Sequence, residues 1–187
     1  MSRTFNVLVL CTGNSARSIL GEMLFKHLGA GRIRAYSAGS QPAGQVNPVA
    51  LETLEKHGIP CAGARSKSWD EFAVPPAPTF APAAHQGELN VGTADVSLRE
   101  GIAFDFIFTV CGNAAKEACP VWPGHPATAH WGIDDPAHVE PLEARRAAFE
   151  TAYRELKRRV EAFLALPLET MSREEAIAAA RRIHEEN

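Results

Sequence analysis

At 187 residues the chain is long enough to bury one α/β core and too short to divide into two domains without a clear linker, so residues 1–187 are expected to form a single domain. Its 45% hydrophobic and 22% charged residues and formal net charge of -3 are ordinary for a globular protein. It lacks the clustered Lys and Arg with which nucleic-acid binders neutralise phosphates. No window approaches the roughly eighteen apolar residues of a membrane span, and Met1 to Asn6 carry no leader pattern. A cytoplasmic protein without nucleic-acid or membrane partners is expected. Four cysteines are too few for a disulfide scaffold, so each is weighed as catalytic, metal-binding or inert.

Phe5 to Leu10 is a short β-prone run without polar alternation after Asn6, as in a strand buried on both faces of a parallel sheet. From Ser15, the residues Ile19, Leu20, Met23, Leu24 and Leu28 recur at helical spacing until Gly29 to Gly31. Ile33 to Ser37 reads as a second strand. Asn47-Pro48 reads as an N-cap with proline at the first helical position, opening a helix that stops at Gly58. Phe104 to Val110 is the clearest β run and ends at Cys111, and a fourth strand spans Thr128 to Trp131. A long helix after Pro141 carries Leu142, Phe149, Tyr153, Leu156, Val160 and Phe163. Strand and helix alternate, which predicts a three-layer α/β fold whose four-stranded parallel sheet is flanked by helices and binds ligands beyond the carboxyl ends of its strands. Two regions stand outside this scheme. A Pro-rich surface insertion is expected at about 74–101, and a C-terminal extension at about 167–187 holds a helix opened by a Ser172/Glu175 capping box.

The stretch after the first strand carries the chemistry. In CTGNSARS (11–18) a cysteine and an arginine are separated by five residues on a loop that feeds a helix. The backbone N–H groups of Thr12, Gly13, Asn14, Ser15, Ala16, Arg17 and Ser18, the helix dipole and the Arg17 fork form a cradle for a tetrahedral oxyanion. Gly13 lets the backbone approach closely. The same field is expected to lower the pKa of Cys11 and so activate it as a nucleophile. Ser18 is placed to donate to its sulfur, and Asn14 to hold the loop through its side chain. Asp135, before Pro136 in a loop expected at the same sheet edge, is the candidate general acid, with Asp134 as the alternative.

CTGNSARS, YSAG (36–39), VNP (46–48), FTVC (108–111) and HWGIDDPA (130–137) together resemble the arsenate reductases built on the low-molecular-weight tyrosine phosphatase fold. The resemblance covers most of Phe5 to Leu166 apart from the insertion. It implies that Cys11 attacks arsenate, that Arg17 and the loop hold its oxygens, and that Asp135 protonates the leaving oxygen. It further implies that Cys111 attacks the cysteine–arseno adduct and releases arsenite, leaving a Cys11–Cys111 disulfide. Cys119 then displaces Cys11, and the Cys111–Cys119 bridge is presented to thioredoxin. Glutaredoxin with glutathione is the alternative reductant, because the spacing from Cys111 to Cys119 is one residue longer than in some thioredoxin-coupled members.

No cofactor and no metal is expected. His125 and His130 have a ligand-like spacing, but the cysteines lack the two-to-four-residue spacing of structural zinc sites. Those two histidines, with His27 and His57, are expected on the surface, and Cys61 is expected to be inert. In the potassium-using branch of the family an acidic residue aligns with Lys67. Asn14, Glu22 and Ser37 are therefore not expected to hold a cation, and the lysine ammonium could take its place. Two other functions fit less of the sequence. A low-molecular-weight tyrosine phosphatase would share the cradle, but that branch usually has a proline after Arg-Ser and a tyrosine after Asp-Pro, where this chain has Ile19 and Ala137. A thiol-based arsenic or redox sensor would explain three cysteines but not Arg17 or Asp135.

Overall fold

A computed structural model describes residues 3–72, 102–116, 122 and 126–186. The expected insertion, Cys119 and His125 lie outside these residues.

Four strands, β1 (Phe5–Cys11), β2 (Ile33–Gly39), β3 (Phe106–Thr109) and β4 (Ala127–His130), form one parallel sheet in the order β2-β1-β3-β4. Between and after them run α1 (Arg17–Leu28), α2 (Pro48–Lys56), α3 (Gly112–Lys116), α4 (Leu142–Leu164) and α5 (Arg173–Glu186). The three-layer α/β expectation holds. β1 is central because it is apolar on both faces: Val7, Val9 and Cys11 point into the larger core, and Leu8 and Leu10 into the smaller. The larger core is filled from α1, α2, α4 and α5, with Phe25, Phe108, Trp131 and Phe163 forming an aromatic cluster at its centre. The smaller core joins Leu8, Leu10, Ala38, Phe104, Ile107 and Trp122.

Element boundaries differ from expectation where pairing rather than composition decides them. β2 extends to Gly39 because it stays paired with β1 as far as Cys11. β3 is shorter than the run Phe104 to Val110, yet its flanks remain tied to β1: Asp105 N–H donates to the Asn6 carbonyl and Val110 N–H to the Leu10 carbonyl. β4 starts one residue early and stops at His130, and α1 begins at Arg17 because the loop occupies Ser15 and Ala16. The predicted caps form: Asn47 Oδ1 accepts from Val49 N–H at 2.9 Å, and Ser172 and Glu175 exchange their side-chain and backbone bonds.

His57 is exposed, as expected, but it is not idle there. Its ring stacks on Tyr153 with centroids 4.0 Å apart, and its Nε2 lies 2.9 Å from Glu150 Oε1, so it joins α2 to α4. His130 is half-buried, with Nδ1 2.9 Å from Thr109 Oγ1, while His27 is exposed as expected. Cys61 is half-buried against the core. Among the described residues, no helix is long and apolar enough to cross a membrane.

Candidate active site

The loop between β1 and α1 is turned inside out by its surroundings. Its carbonyls point outward: Thr12 O accepts from Gln41 N–H, Gly13 O from Ala43 N–H and the Ser66 hydroxyl, and Ser15 O from Asn47 N–H, all at 2.8 to 3.2 Å. With the carbonyls engaged there, the N–H groups are left for the concave side. Ala16, at the N-cap of α1, makes no side-chain cap bond, so the first amides of that helix also stay open toward the cradle. Asn14 holds the bend in a left-handed conformation, φ 43°. It is fully buried, donating from Nδ2 to Ser18 Oγ and Ser37 Oγ at 2.9 Å each and accepting Lys67 N–H on Oδ1 at 2.8 Å. Sequence reasoning gave Asn14 this bracing role. It missed Gly39, where any Cβ would collide with the Thr12 carbonyl, so the glycine of YSAG is the clearance that lets β2 run beside the loop.

Beneath the loop, Lys67 Nζ lies 3.4 Å from both Glu22 Oε2 and Ser37 Oγ and donates to the Arg65 carbonyl at 3.1 Å. Ser37 also donates a short hydrogen bond to Glu22 Oε2. The ammonium thus sits among the Glu22, Ser37 and Arg65 oxygens, while Asn14 Oδ1 is taken by the Lys67 backbone N–H; a lysine ammonium in the place of a cation is what the sequence at Lys67 anticipated. Burial pushes the Lys67 pKa below its ordinary value, and the Glu22 carboxylate offsets this only in part.

Cys11 sits at the base of the cradle, 4% exposed. Its Sγ is 2.8 Å from Ser18 Oγ and accepts the Asn14 N–H at 3.1 Å. The expected lowering of its pKa is overturned. Burial pushes the thiol up and outweighs the Ser18 hydroxyl and the Ser18 and Asn14 amides, which favour thiolate; the neighbouring Cys111 adds to the upward push. The cation that should oppose this is engaged elsewhere. Arg17 Nη1 donates to the Ile133 carbonyl at 3.1 Å, and Nη2 meets Asp135 Oδ2 at 3.0 Å. That ion pair is partly solvated, its side chains 16% and 42% exposed, so it is weak enough for an incoming anion to compete with.

Cys111, buried at the end of β3, accepts from Ala114 N–H at 3.4 Å and lies 3.5 Å from Thr12 Oγ1. The Thr12 hydroxyl is therefore a direct link between the two cysteine loops, a contact that sequence spacing did not signal. Both thiols are free. A cleft of about 390 Å³ opens over Cys11 and Arg17, with Asp135, Asn113 and His138 on its rim. Of the two candidate acids, Asp135 lines this cleft and Asp134 does not. The fold thus brings together Cys11, Arg17, Cys111, Asp135 and the loop amides; Cys119 is outside the described residues.

Residues 6–78 match the low molecular weight phosphotyrosine protein phosphatase family. A curated arsenate reductase of Shouchella clausii is 32% identical over 155 residues, covering 82% of this chain and 91% of that protein. The chain belongs to the arsenate reductases of the low-molecular-weight phosphatase family. Among solved structures, an arsenate reductase in the oxidized state superposes with a TM-score of 0.61 at 24% identity, over 87% of this chain and 98% of that one. A low molecular weight protein tyrosine phosphatase from T. tengcongensis gives 0.55 at 19% identity, over 84% and 96%. Reductases and phosphatases thus share this fold, and the shape alone does not separate them.

Proposed function

We propose that this chain reduces arsenate to arsenite by a thiol relay that starts at Cys11. The observation that carries the reading is the second buried thiol: Cys111 is linked to the oxyanion loop through the Thr12 hydroxyl, and the hydrolysis of a phosphate ester itself calls for no second thiol. The loop amides and Arg17 hold arsenate; as Arg17 turns to the anion it leaves Asp135, whose carboxyl is then able to carry the proton that the leaving oxygen needs. Cys11 Sγ attacks arsenic, and one arsenate oxygen departs as water. Cys111 Sγ next attacks Cys11 Sγ. The new S–S bond forms as the S–As bond breaks, its electron pair stays on arsenic, and arsenate(V) leaves as arsenite(III) while two thiols become a disulfide. Cys119 attacks Cys111 and releases Cys11 as a thiolate. The family resemblance makes thioredoxin the first choice to reduce the Cys111–Cys119 bridge, with glutaredoxin and glutathione second. The whole chain acts as one cytoplasmic catalytic domain without metal or cofactor.

The test is arsenate-dependent NADPH oxidation in the presence of thioredoxin and its reductase, run beside hydrolysis of an aryl phosphate. Strong oxidation with feeble hydrolysis is expected. Strong hydrolysis without oxidation, also with glutaredoxin and glutathione, would make the protein a phosphatase.

A further inference from the structure

The acid loop is held from behind by a residue that the reaction itself does not require. Arg159 lies on α4 and is 4% exposed, sharing the buried stripe of Leu156, Val160 and Phe163. Its Nη1 donates to two successive backbone carbonyls, Trp131 O and Gly132 O, at 3.2 Å each, and its Nη2 lies 4.0 Å from Glu155 Oε2. The third carbonyl in the row, Ile133 O, accepts from Arg17 Nη1 at 3.1 Å, and two residues on Asp135 accepts from Arg17 Nη2. The other side of the row is fixed as well: Trp131 N–H donates to Thr109 O at 2.7 Å and Ile133 N–H to Val110 O at 3.1 Å. Three consecutive carbonyls are therefore aimed at two guanidiniums, one structural and one in the oxyanion cradle. Taking a guanidinium out of water costs several kcal/mol, and a methionine would fill the same stripe without that cost. What the guanidinium supplies and a methionine does not is a fixed donor, Nη1, shared between two adjacent carbonyls, which sets the orientation of two peptide planes.

We infer that Arg159 is a positioning residue that acts through Asp135: its fork on the Trp131 and Gly132 carbonyls sets the direction of the peptide row, and so of the Ile133 carbonyl and Asp135 carboxylate facing Arg17. The inference rests on the reading of Asp135 as the acid. Without Arg159 the Trp131 and Gly132 carbonyls lose their anchor while the Trp131 and Ile133 amides keep theirs, and the partial shift this passes to the carboxyl costs a fraction of the roughly hundredfold that a misplacement of about 1 Å would. The loop amides, which Arg159 does not touch, keep their hold on the oxyanion, and Arg17 turns from the row to the anion when it binds, so oxyanion affinity stays as it is.

The experiment is a double-mutant cycle of Arg159→Met and Asp135→Asn, with Arg159→Lys as the conservative variant. Two quantities are measured for each: arsenite formed in a single turnover by pre-reduced enzyme at saturating arsenate, and the affinity for inorganic phosphate from its protection of Cys11 against iodoacetamide. Arg159→Met is expected to slow the turnover about tenfold with phosphate affinity unchanged, since general acid catalysis of this kind contributes about 100-fold or more and is here displaced rather than removed. Arg159→Lys, which can still reach one carbonyl, recovers part of the rate. In the Asp135→Asn background Arg159→Met costs nothing further. An equal cost in both backgrounds, or phosphate affinity falling in step with the rate, would overturn the inference. If Asp135→Asn alone keeps the full rate, the acid assignment falls and the inference falls with it. Should Arg159→Met melt below the assay temperature, Arg159→Gln runs the same cycle with the same criteria.

Discussion

Lys67 and Glu22 face each other under the oxyanion loop, ammonium to carboxylate at 3.4 Å, with side chains only 5% and 3% exposed. Glu22 is shared with Lys26, whose Nζ meets Oε1 at 2.7 Å, and the Lys67–Glu22 pair braces Ser37 and, through it, Asn14. Lys67→Met leaves Glu22 with Lys26 and Ser37 but removes a buried charged hydrogen bond, so it is expected to cost about 1.5–3 kcal/mol. Adding Glu22→Gln restores part of it. Urea unfolding of the two single variants and the double variant measures this; costs that merely add would show that the two groups are not coupled.

The state of Cys11 is expected to follow the position of Arg17. Burial holds the thiol above its ordinary value while Arg17 is engaged by Asp135, so the pH profile for alkylation of Cys11 by iodoacetamide should inflect above that of a free thiol. Ser18→Ala removes the hydroxyl 2.8 Å from the sulfur and moves the inflection further up. Asp135→Asn releases the guanidinium and moves it down. No movement in either variant would detach the thiol from both groups.

Glu150 gives an acid-stability prediction whose sign is fixed by its neighbours. Burial alone would raise its pKa, but hydrogen bonds from His57 and Lys56 outweigh it and bring the carboxyl from 4.5 to about 2. In the unfolded chain it takes up a proton near 4.5, so between there and about 2 the unfolded state binds more protons and stability falls as pH falls. With solvent screening of the exposed Lys56, the loss is about 1–2 kcal/mol. Glu150→Gln should flatten that part of the stability curve while leaving its neutral-pH shape; chemical unfolding at stepped acidic pH reads it directly.

The two described thiols near the loop should separate by substitution. Cys11→Ser is expected to abolish arsenate reduction and any aryl phosphate hydrolysis, whereas Cys111→Ser abolishes reduction alone. Equal loss of both activities in Cys111→Ser would place that residue in oxyanion binding instead. Cys119→Ser is expected to allow one turnover and block recycling by thioredoxin.

The cradle was legible because its determinants are contiguous: an apolar strand, a cysteine, small residues and an arginine lie within one short run. Asp135 was legible because a parallel sheet brings its strand ends to one edge. Arg159 was not, since Lys157-Arg158-Arg159 reads as a solvated basic run. Its signal was positional: three residues after Leu156 and four before Phe163, it falls on the buried stripe of α4. The upward shift of Cys11 was hidden for a related reason. The loop sequence advertises a dipole and a cation, but how deeply the sulfur is buried, and where Arg17 rests without an anion, depend on residues more than a hundred positions away.

α5 bears on a different property. Among the described residues β4 is an outer strand of the sheet, and an outer strand offers unpaired backbone groups to any other extended chain. Here Ala176, Ala179, Ala180 and Ile183 lie buried, Trp131 Nε1 donates to the Ala180 carbonyl at 2.8 Å, and Arg181 reaches the Thr128 carbonyl at 3.4 Å. The helix therefore works as a hem along the sheet margin. A chain ending before Ser172 would keep every residue of the oxyanion cradle yet carry an adhesive border, and its failure would be seen first as sedimenting aggregate rather than as slow chemistry.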